Sequence, residues 1–288
     1  IQLYQNNVLP NKILLSGQKG IGKSTLAYHF INFFLSKNEE FKYNVDDLEI
    51  NTNNHSYKLS LNKSNPNLIL VDVNVDKKMI DINQIRELIS NLNKSSFNEK
   101  PRFVLIDNIE FLNINSVNAL LKVLEEPNHN IFFILINNDK KVLSTLKSRC
   151  INFRISLSNE ESLLVANNLL DGKLNDLINK DLINFYLTPG NIFNLVKFSL
   201  QNKYDLRNID LKEFLNILIK NSHYKKDILI RYLIFDFVEF YFNKINNSIT
   251  PKIYDSYSYF LKRISNTKKF NLDEESLFME FEQKILNG

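Results

Sequence analysis

Four short apolar runs stand out along the chain, Ile13–Ser16, Leu68–Val73, Phe103–Ile106 and Ile131–Ile136, each bounded by polar or turn residues. None alternates cleanly between apolar and polar, which predicts parallel strands covered on both faces. Helical stripes lie between them. Ser24–Leu35 follows the first run. Ile82–Leu92 follows the second, with Ile82, Ile85, Leu88, Ile89 and Leu92 on one face. Asn115–Glu126 follows the third, with Val117, Leu120, Leu121 and Leu124 on one face, and Pro127 closes it. Strand–helix alternation of this kind predicts a parallel α/β sheet with right-handed crossovers. The segment Lys37–Pro66 is polar and Asn-rich and reads as a long loop or small insert.

Beyond Phe153 the strand signals stop. Ser158 and Glu161 have the spacing of a capping box ahead of SLLVANNLL. Pro189–Gly190 is expected to break the next helical stretch. Leu211–Lys220, Lys225–Ile245, Lys252–Ile264 and Asp273–Leu286 then read as helices. The pattern predicts an α/β domain over 1–155, a small helical domain over 156–205 and a second helical domain over 206–288. No internal repeat is present.

Composition changes this picture little. The chain has 288 residues, 44% of them hydrophobic, enough for one large domain or two to three small ones. The net charge of +4 is too weak by itself to argue for nucleic acid, and a solvated lysine excess accounts for it. One cysteine, Cys150, excludes an internal disulfide and a four-cysteine zinc site, and the chain reads as cytoplasmic. It starts at Ile1, not Met, so its N-terminus is expected to be incomplete. The most apolar stretch, Ile228–Phe242, is interrupted by Arg231, Asp236 and Glu239, so no membrane span is expected.

Glycine is what carries chemistry. Of six glycines in the chain, three fall within GQKGIGKST at Gly17–Thr25. The run fits G-x-x-x-x-G-K-[ST], with a strand pattern before it and a helical one after. Glycines let backbone N–H groups converge on phosphate oxygens, and a helix opening at Lys23 aims its N–H groups at the same anion. The expected cradle is Gly17, Gly20, Ile21, Gly22, Lys23, Ser24 and Thr25, holding ATP or ADP. Lys23 would contact the terminal phosphates, and the Ser24 hydroxyl would ligate Mg²⁺. In FVLIDNIE, Asp107 follows four apolar residues and would hold the same Mg²⁺ through water. Asn108 comes next, where many nucleotide hydrolases carry Glu to orient the attacking water. Glu110 lies two residues further on and is expected to point elsewhere.

VNALLKVLEEP (Val117–Pro127) followed by LKSRC (Leu146–Cys150) resembles the bacterial DNA polymerase III clamp-loader ATPases. The opening VLPNKILLSGQKGIGKSTLAYHF is most similar to the delta-prime branch, in the form that keeps a P-loop. The resemblance spans about Val8 to Phe153. It implies an AAA+ nucleotide-binding domain, a helical lid and a C-terminal helical collar. It also implies an assembly with gamma/tau motor and delta subunits that loads a sliding clamp on primer–template DNA. Carried onto Ser148, Arg149 and Cys150, the family's SRC motif makes Arg149 an arginine finger acting in trans on a neighbouring ATP site. LINND places Asn137 or Asn138 at the sensor-1 position, and Asn137 is taken as the nucleotide contact.

Two departures from the family matter. TPGN puts Asn191 where relatives carry a second-sensor Arg, and Lys37–Pro66 lacks the cysteines of the zinc module, so no zinc is expected. Together with Asn108 they point to a subunit that binds nucleotide, cleaves it poorly and activates a neighbour. A self-sufficient gamma/tau-like motor and a P-loop small-molecule kinase are the other readings. Lys94, Lys100 and Arg102 are candidate DNA phosphate contacts. Leu229, Leu233, Phe237 and Phe240 read as core and subunit interface.

Overall fold

Apolar residues at every position of a strand bury both of its faces, and the sheet here is built that way. The computed structural model describes residues 9–74, 77–95, 97–125, 130–183, 187–245, 251–270 and 272–287. The opening residues through Val8, Glu126, Pro127 and His129 lie outside the described residues, as does the side chain of Leu229. By contact density the chain divides into two compact units, with the break between Ser156 and Leu157.

In the first unit, β1 (Lys12–Ser16), β2 (Leu68–Val71), β3 (Arg102–Ile106), β4 (Ile131–Asn137) and β5 (Ile151–Arg154) form one parallel sheet in the order β2-β3-β4-β1-β5. Its helices are α1 (Lys23–Leu35), α2 (His55–Leu61), α3 (Ile82–Leu92), α4 (Ile114–Glu125) and the single turn α5 (Ser144–Lys147). Successive strand side chains point to opposite faces. Ile13, Leu15, Phe103, Leu105, Ile134 and Ile136 therefore pack with Ala27, Ile31, Phe34 and Leu35 of α1. Leu14, Val104, Ile106, Phe133 and Leu135 pack on the other side with Ile85 and Leu88 of α3 and Val117, Leu120 and Leu124 of α4. The period of two is present but invisible in the sequence, because both faces are apolar.

Two elements of this unit carried no clear sequence signal. β5 is an edge strand whose four residues are all exposed, with Ile151 and Phe153 alternating with Asn152 and Arg154. α2 lies inside the expected loop 37–66 and starts on Asn54, whose side chain accepts the Tyr57 N–H at 2.6 Å. Among the described residues no helix is long and apolar enough to cross a membrane.

The second unit contains α6 (Asn159–Leu169), α7 (Leu174–Leu177), α8 (Pro189–Asn202), α9 (Leu211–Lys220), α10 (His223–Lys226), α11 (Ile228–Ile245), α12 (Pro251–Phe270) and α13 (Glu274–Phe281). The Ser158–Glu161 capping box forms at the start of α6 with both reciprocal bonds. Pro189 starts α8 instead of breaking a helix. It occupies the first turn, where its missing N–H costs nothing, behind a Thr188 cap. The helix expected over Lys225–Ile245 is two, parted at Asp227, whose carboxylate accepts the Ile230 N–H at 3.3 Å. Residues from 156–205 and from 206–288 share one apolar core, with Leu182, Ile192, Leu195, Phe214, Leu218, Ile234, Phe237 and Phe260 all buried. Leu233 and Phe237 belong to that core.

Two of the proposed DNA contacts are spent on the fold. Arg102 donates to three carbonyls at the end of α3, those of Asn91 (2.5 Å), Leu92 (3.1 Å) and Lys94 (3.1 Å). Lys100 donates to Leu35 O at 2.7 Å, at the end of α1, and to Glu39 at 3.0 Å. Both cations satisfy helix C-termini, where unpaired carbonyls and the dipole favour positive charge. Arg102→Gln is expected to lower stability by ~1–2 kcal/mol in a thermal melt. An unchanged melt would mean that the three carbonyl bonds add nothing to stability.

Candidate functional site

A parallel sheet gathers the C-terminal ends of its strands along one edge. Register puts Ser16 opposite Asn137 and Val71 opposite Ile106. The residues that follow β1, β2, β3 and β4 are thus brought together from positions far apart in the chain: Gly17, Asp72, Asp107 and Asn138.

The loop after β1 is shaped by its glycines. Gly20 has φ 88° and Gly22 has φ 92°, in the left-handed region that side chains avoid. Gly22 then caps α1. Gly17 is fixed by crowding, because a Cβ there would lie 2.2 Å from the Ile155 carbonyl oxygen at the end of β5. Lys23, 3% exposed, turns its ammonium back into the loop and donates to Gly17 O at 2.8 Å and Gln18 O at 2.6 Å. Burial lowers its pKa from the ordinary lysine value, while the charges of Asp107, Glu110 and Asp139 act in the other direction.

Ser24, at the second position of α1, donates its hydroxyl to Asp107 Oδ2 at 2.5 Å across 83 residues of sequence. The Asn108 N–H donates to Asp107 Oδ1 at 2.7 Å. Ile21 and Thr25 sit on either side of this group, Ile21 against Gly17 and Thr25 next to Ser24 on the helix.

Asn108 has a left-handed backbone, φ 55° and ψ 46°, and opens a single 3₁₀ turn over Ile109–Phe111. That turn carries Glu110 back over the end of β4, contrary to the expectation from strand geometry. Asn138 donates its backbone N–H to Glu110 Oε2 at 3.3 Å and its Nδ2 to Glu110 Oε1 at 3.1 Å. The same Nδ2 donates to Asn108 Oδ1 at 2.8 Å, and Asn108 Nδ2 donates to Asp72 Oδ1 at 2.7 Å. Asp72, Asn108, Asn138 and Glu110 form one chain of hydrogen bonds beside the Ser24–Asp107 pair.

Asn137 does not join this chain. Strand alternation puts it on the same face as Leu135, towards α3 and α4. There it is buried, with Nδ2 donating to Lys140 O at 3.1 Å and Oδ1 left without a hydrogen-bond partner. Asn138 is the residue that faces the carboxylates, a distinction of one residue that the run LINND does not mark.

The residue types suit a magnesium nucleotide. A buried ammonium among carbonyls and N–H groups converging at a helix start answer an anion. A hydroxyl with a carboxylate behind it is the hard-oxygen set that Mg²⁺ takes beside phosphates and water. Among the described residues no group of three or more His, Cys, Asp or Glu is arranged to hold a metal ion. A separate cavity of about 650 Å³ opens beside Ser24 and Thr25, walled by Tyr28, Ile31, Ile50, Tyr57 and Leu70.

Burial also pushes the Asp107 carboxyl above the ordinary aspartate range, against the Ser24 and Asn108 hydrogen bonds that lower it. An acid whose pKa folding raises contributes its stability at low pH and loses it as pH climbs through the raised value. At neutral pH ionised Asp107 is therefore a cost to the chain without a cation. Asp107→Asn is expected to raise Tm at pH 7, with the gain vanishing below about pH 4. It should also weaken magnesium-dependent nucleotide binding about 10–100-fold. Calorimetry at the two pH values and a nucleotide titration with and without Mg²⁺ check both halves.

Arg149 lies apart from the loop, between α5 and β5. It donates to Thr145 O at 2.9 Å and pairs with Glu125 at 2.5 Å, its side chain 31% exposed. Ser148 donates to Thr145 O at 3.1 Å and so shapes the same turn. Burial raises the Cys150 thiol to about 11, so it stays protonated and unreactive.

The family described as DNA polymerase III, delta subunit, matches residues 1–159. DNA polymerase III subunit delta' of Buchnera aphidicola subsp. Schizaphis graminum is 27% identical over 282 residues, covering 92% of this chain and 82% of that one. The delta' subunit of Buchnera aphidicola subsp. Baizongia pistaciae is 32% identical over 147 residues, 49% of this chain and 42% of that one. DNA polymerase III subunit gamma of the Schizaphis graminum symbiont is 30% identical over 153 residues, 52% of this chain and 39% of that one.

Proposed function

Because the chain belongs to the DNA polymerase III, delta subunit family, we propose that it is a clamp-loader subunit that binds a magnesium nucleotide at Gly17–Thr25 and lends Arg149 to a neighbouring motor subunit. The observation that carries this reading is the setting of Arg149. It sits on a turn away from its own loop, partly exposed, and its described partners are Thr145 and Glu125. An exposed ion pair of this kind is worth only ~0.2–1 kcal/mol, so Glu125 holds the guanidinium in place without sequestering it.

Within its own site the chain's residues divide the work. The loop N–H groups and Lys23 bind phosphate oxygens, and Ser24 and Asp107 hold Mg²⁺. Asn108 cannot accept a proton, and its amide is committed to Asp72 and Asn138. When bound here, the magnesium nucleotide would supply a phosphoanhydride that this site holds, while the bond cleaved with the help of Arg149 belongs to the nucleotide of the neighbouring subunit. The reading implies gamma/tau and delta subunits, a sliding clamp and primer–template DNA as partners. An autonomous motor is the second reading, favoured by the intact Lys23, Ser24 and Asp107 and by the similarity to a gamma subunit.

The test is DNA- and clamp-stimulated ATP turnover of the reconstituted assembly, comparing Arg149→Ala with Lys23→Ala in this chain. Loss of turnover with the first and near-normal turnover with the second is the expected result. The reverse pattern makes the chain a motor.

A further inference from the structure

We propose that Glu110 orients the attacking water in this chain's own site and gives that site a slow hydrolytic activity. The inference rests on the nucleotide site above but goes beyond the trans role of Arg149.

The position directly after Asp107 cannot do this work, because Asn108 is an amide with both ends already bonded. The left-handed turn at Asn108 puts a second carboxylate in reach of the same place. One amide nitrogen, Asn138 Nδ2, lies 2.8 Å from Asn108 Oδ1 and 3.1 Å from Glu110 Oε1. Glu110 is thus held next to the spot that the side chain after Asp107 occupies. Asn138 grips the carboxylate at both oxygens, through its amide and its backbone N–H. Each oxygen keeps a lone pair for a water, and a group fixed before reaction loses little in ordering it.

Topology favours Glu110 over Asp72. Sheet order β2-β3-β4-β1 places β2, and with it Asp72, two strands beyond β4 on the far side from β1. Glu110 docks over the end of β4, and β4 is the strand that pairs with β1, the carrier of the loop. Consistently, Glu110 follows only Asp107 among the charges acting on the Lys23 ammonium, while Asp72 acts on Asp107.

The step balances without an added reagent. Glu110 accepts a hydrogen bond from the water. The water oxygen bonds to the γ-phosphorus as the bond to the β,γ-bridging oxygen breaks, its electron pair leaving with ADP. Glu110 takes the water's proton and returns it to solvent or to the released phosphate.

The experiment uses the full chain in excess over MgATP, single turnover, with Lys23→Ala as the background. Wild type should turn over above that background. Glu110→Gln should fall at least ~100-fold or to background, and Glu110→Asp, which keeps the charge but withdraws it by one methylene, should also fall. ADP affinity should stay within twofold in both variants. Aluminium fluoride added with ADP imitates the phosphoryl group under attack, and the tightening that it brings should be lost in Glu110→Gln. The proposal is overturned if wild type stays at background, if Glu110→Gln keeps a rate within threefold, or if Asp72→Asn alone removes turnover. Failure of ADP to bind the wild-type chain overturns it too, and in that case the nucleotide site falls with it.

Discussion

Arg149→Ala in this chain should lower turnover of the assembled complex by at least ~10³, the low end for an arginine supplied in trans. The effect is large because the charge that develops on a transferring phosphoryl group has no substitute once the guanidinium is gone. Folding should hardly notice. The side chain is 31% exposed and its partner Glu125 is 53% exposed, so solvent already screens the pair. Its loss is expected to cost under ~1 kcal/mol, or about 2–4 °C at most in a unit of this size. Arg149→Lys separates charge from shape: it keeps the cation and loses the planar fork. It should recover little of the rate. A reconstituted complex with Arg149→Ala that runs within threefold of wild type would remove the trans role altogether.

Gly17→Ala should abolish nucleotide binding and destabilise the sheet-bearing unit, while Gly22→Ala should do markedly less. Both glycines have a positive φ, 153° at Gly17 and 92° at Gly22, but only Gly17 is also crowded. A methyl at Gly17 would come within 2.2 Å of a backbone oxygen, Ile155 O, and 2.7 Å of Ile21 Cδ1. Ile21 can rotate away, but Ile155 O belongs to backbone whose N–H donates to Ser16 O at 2.8 Å. The loop must therefore shift, and with it the carbonyls that hold Lys23. Overpacking of this kind costs ~1–3 kcal/mol, and the displaced loop no longer converges on phosphate. At Gly22 nothing lies within 4 Å of the added carbon, and only the left-handed φ of 92° opposes it. That strain is ~1–2 kcal/mol. Thermal melts and a nucleotide titration of the two variants separate the cases. Equal loss of binding in both would mean that φ, and not the Ile155 contact, governs the loop.

How far the site could be read in advance depended on how local each signal was. GQKGIGKS and FVLID each carry strand, turn and chemistry within a few residues. Lys23, Ser24 and Asp107 could be named before their meeting was seen. The Ser158–Glu161 box was legible for the same reason, since both partners lie within one turn. The bond from Asn138 to Glu110 was not legible, because extrapolating a strand past Ile106 takes no account of a left-handed residue at Asn108. Which partners Asn137 and Asn138 each take was not legible, because the end of β4 is set by pairing with β1, which a single run of residues does not reveal. Lys100 and Arg102 looked like free cations until the ends of α1 and α3 came to lie beside them. β5 left only the short alternation of Ile151 and Phe153 with Asn152 and Arg154, because an exposed edge strand buries no apolar face.

By itself, then, the sequence determined the four buried strands β1–β4 and the helices α1, α3 and α4 that follow three of them, the phosphate-type loop and the carboxylate at the end of β3. Hydrophobic period, glycine content and helix capping act over a few residues and leave their trace there. The tertiary structure alone decided which carboxylates and amides meet at the sheet edge, what each surface cation is tied to, and where Arg149 rests. Those outcomes depend on side-chain direction and on parallel register, which joins residues such as Ser24 and Asp107 across 83 positions of chain. A shift of one residue in that register would turn each side chain to the opposite face.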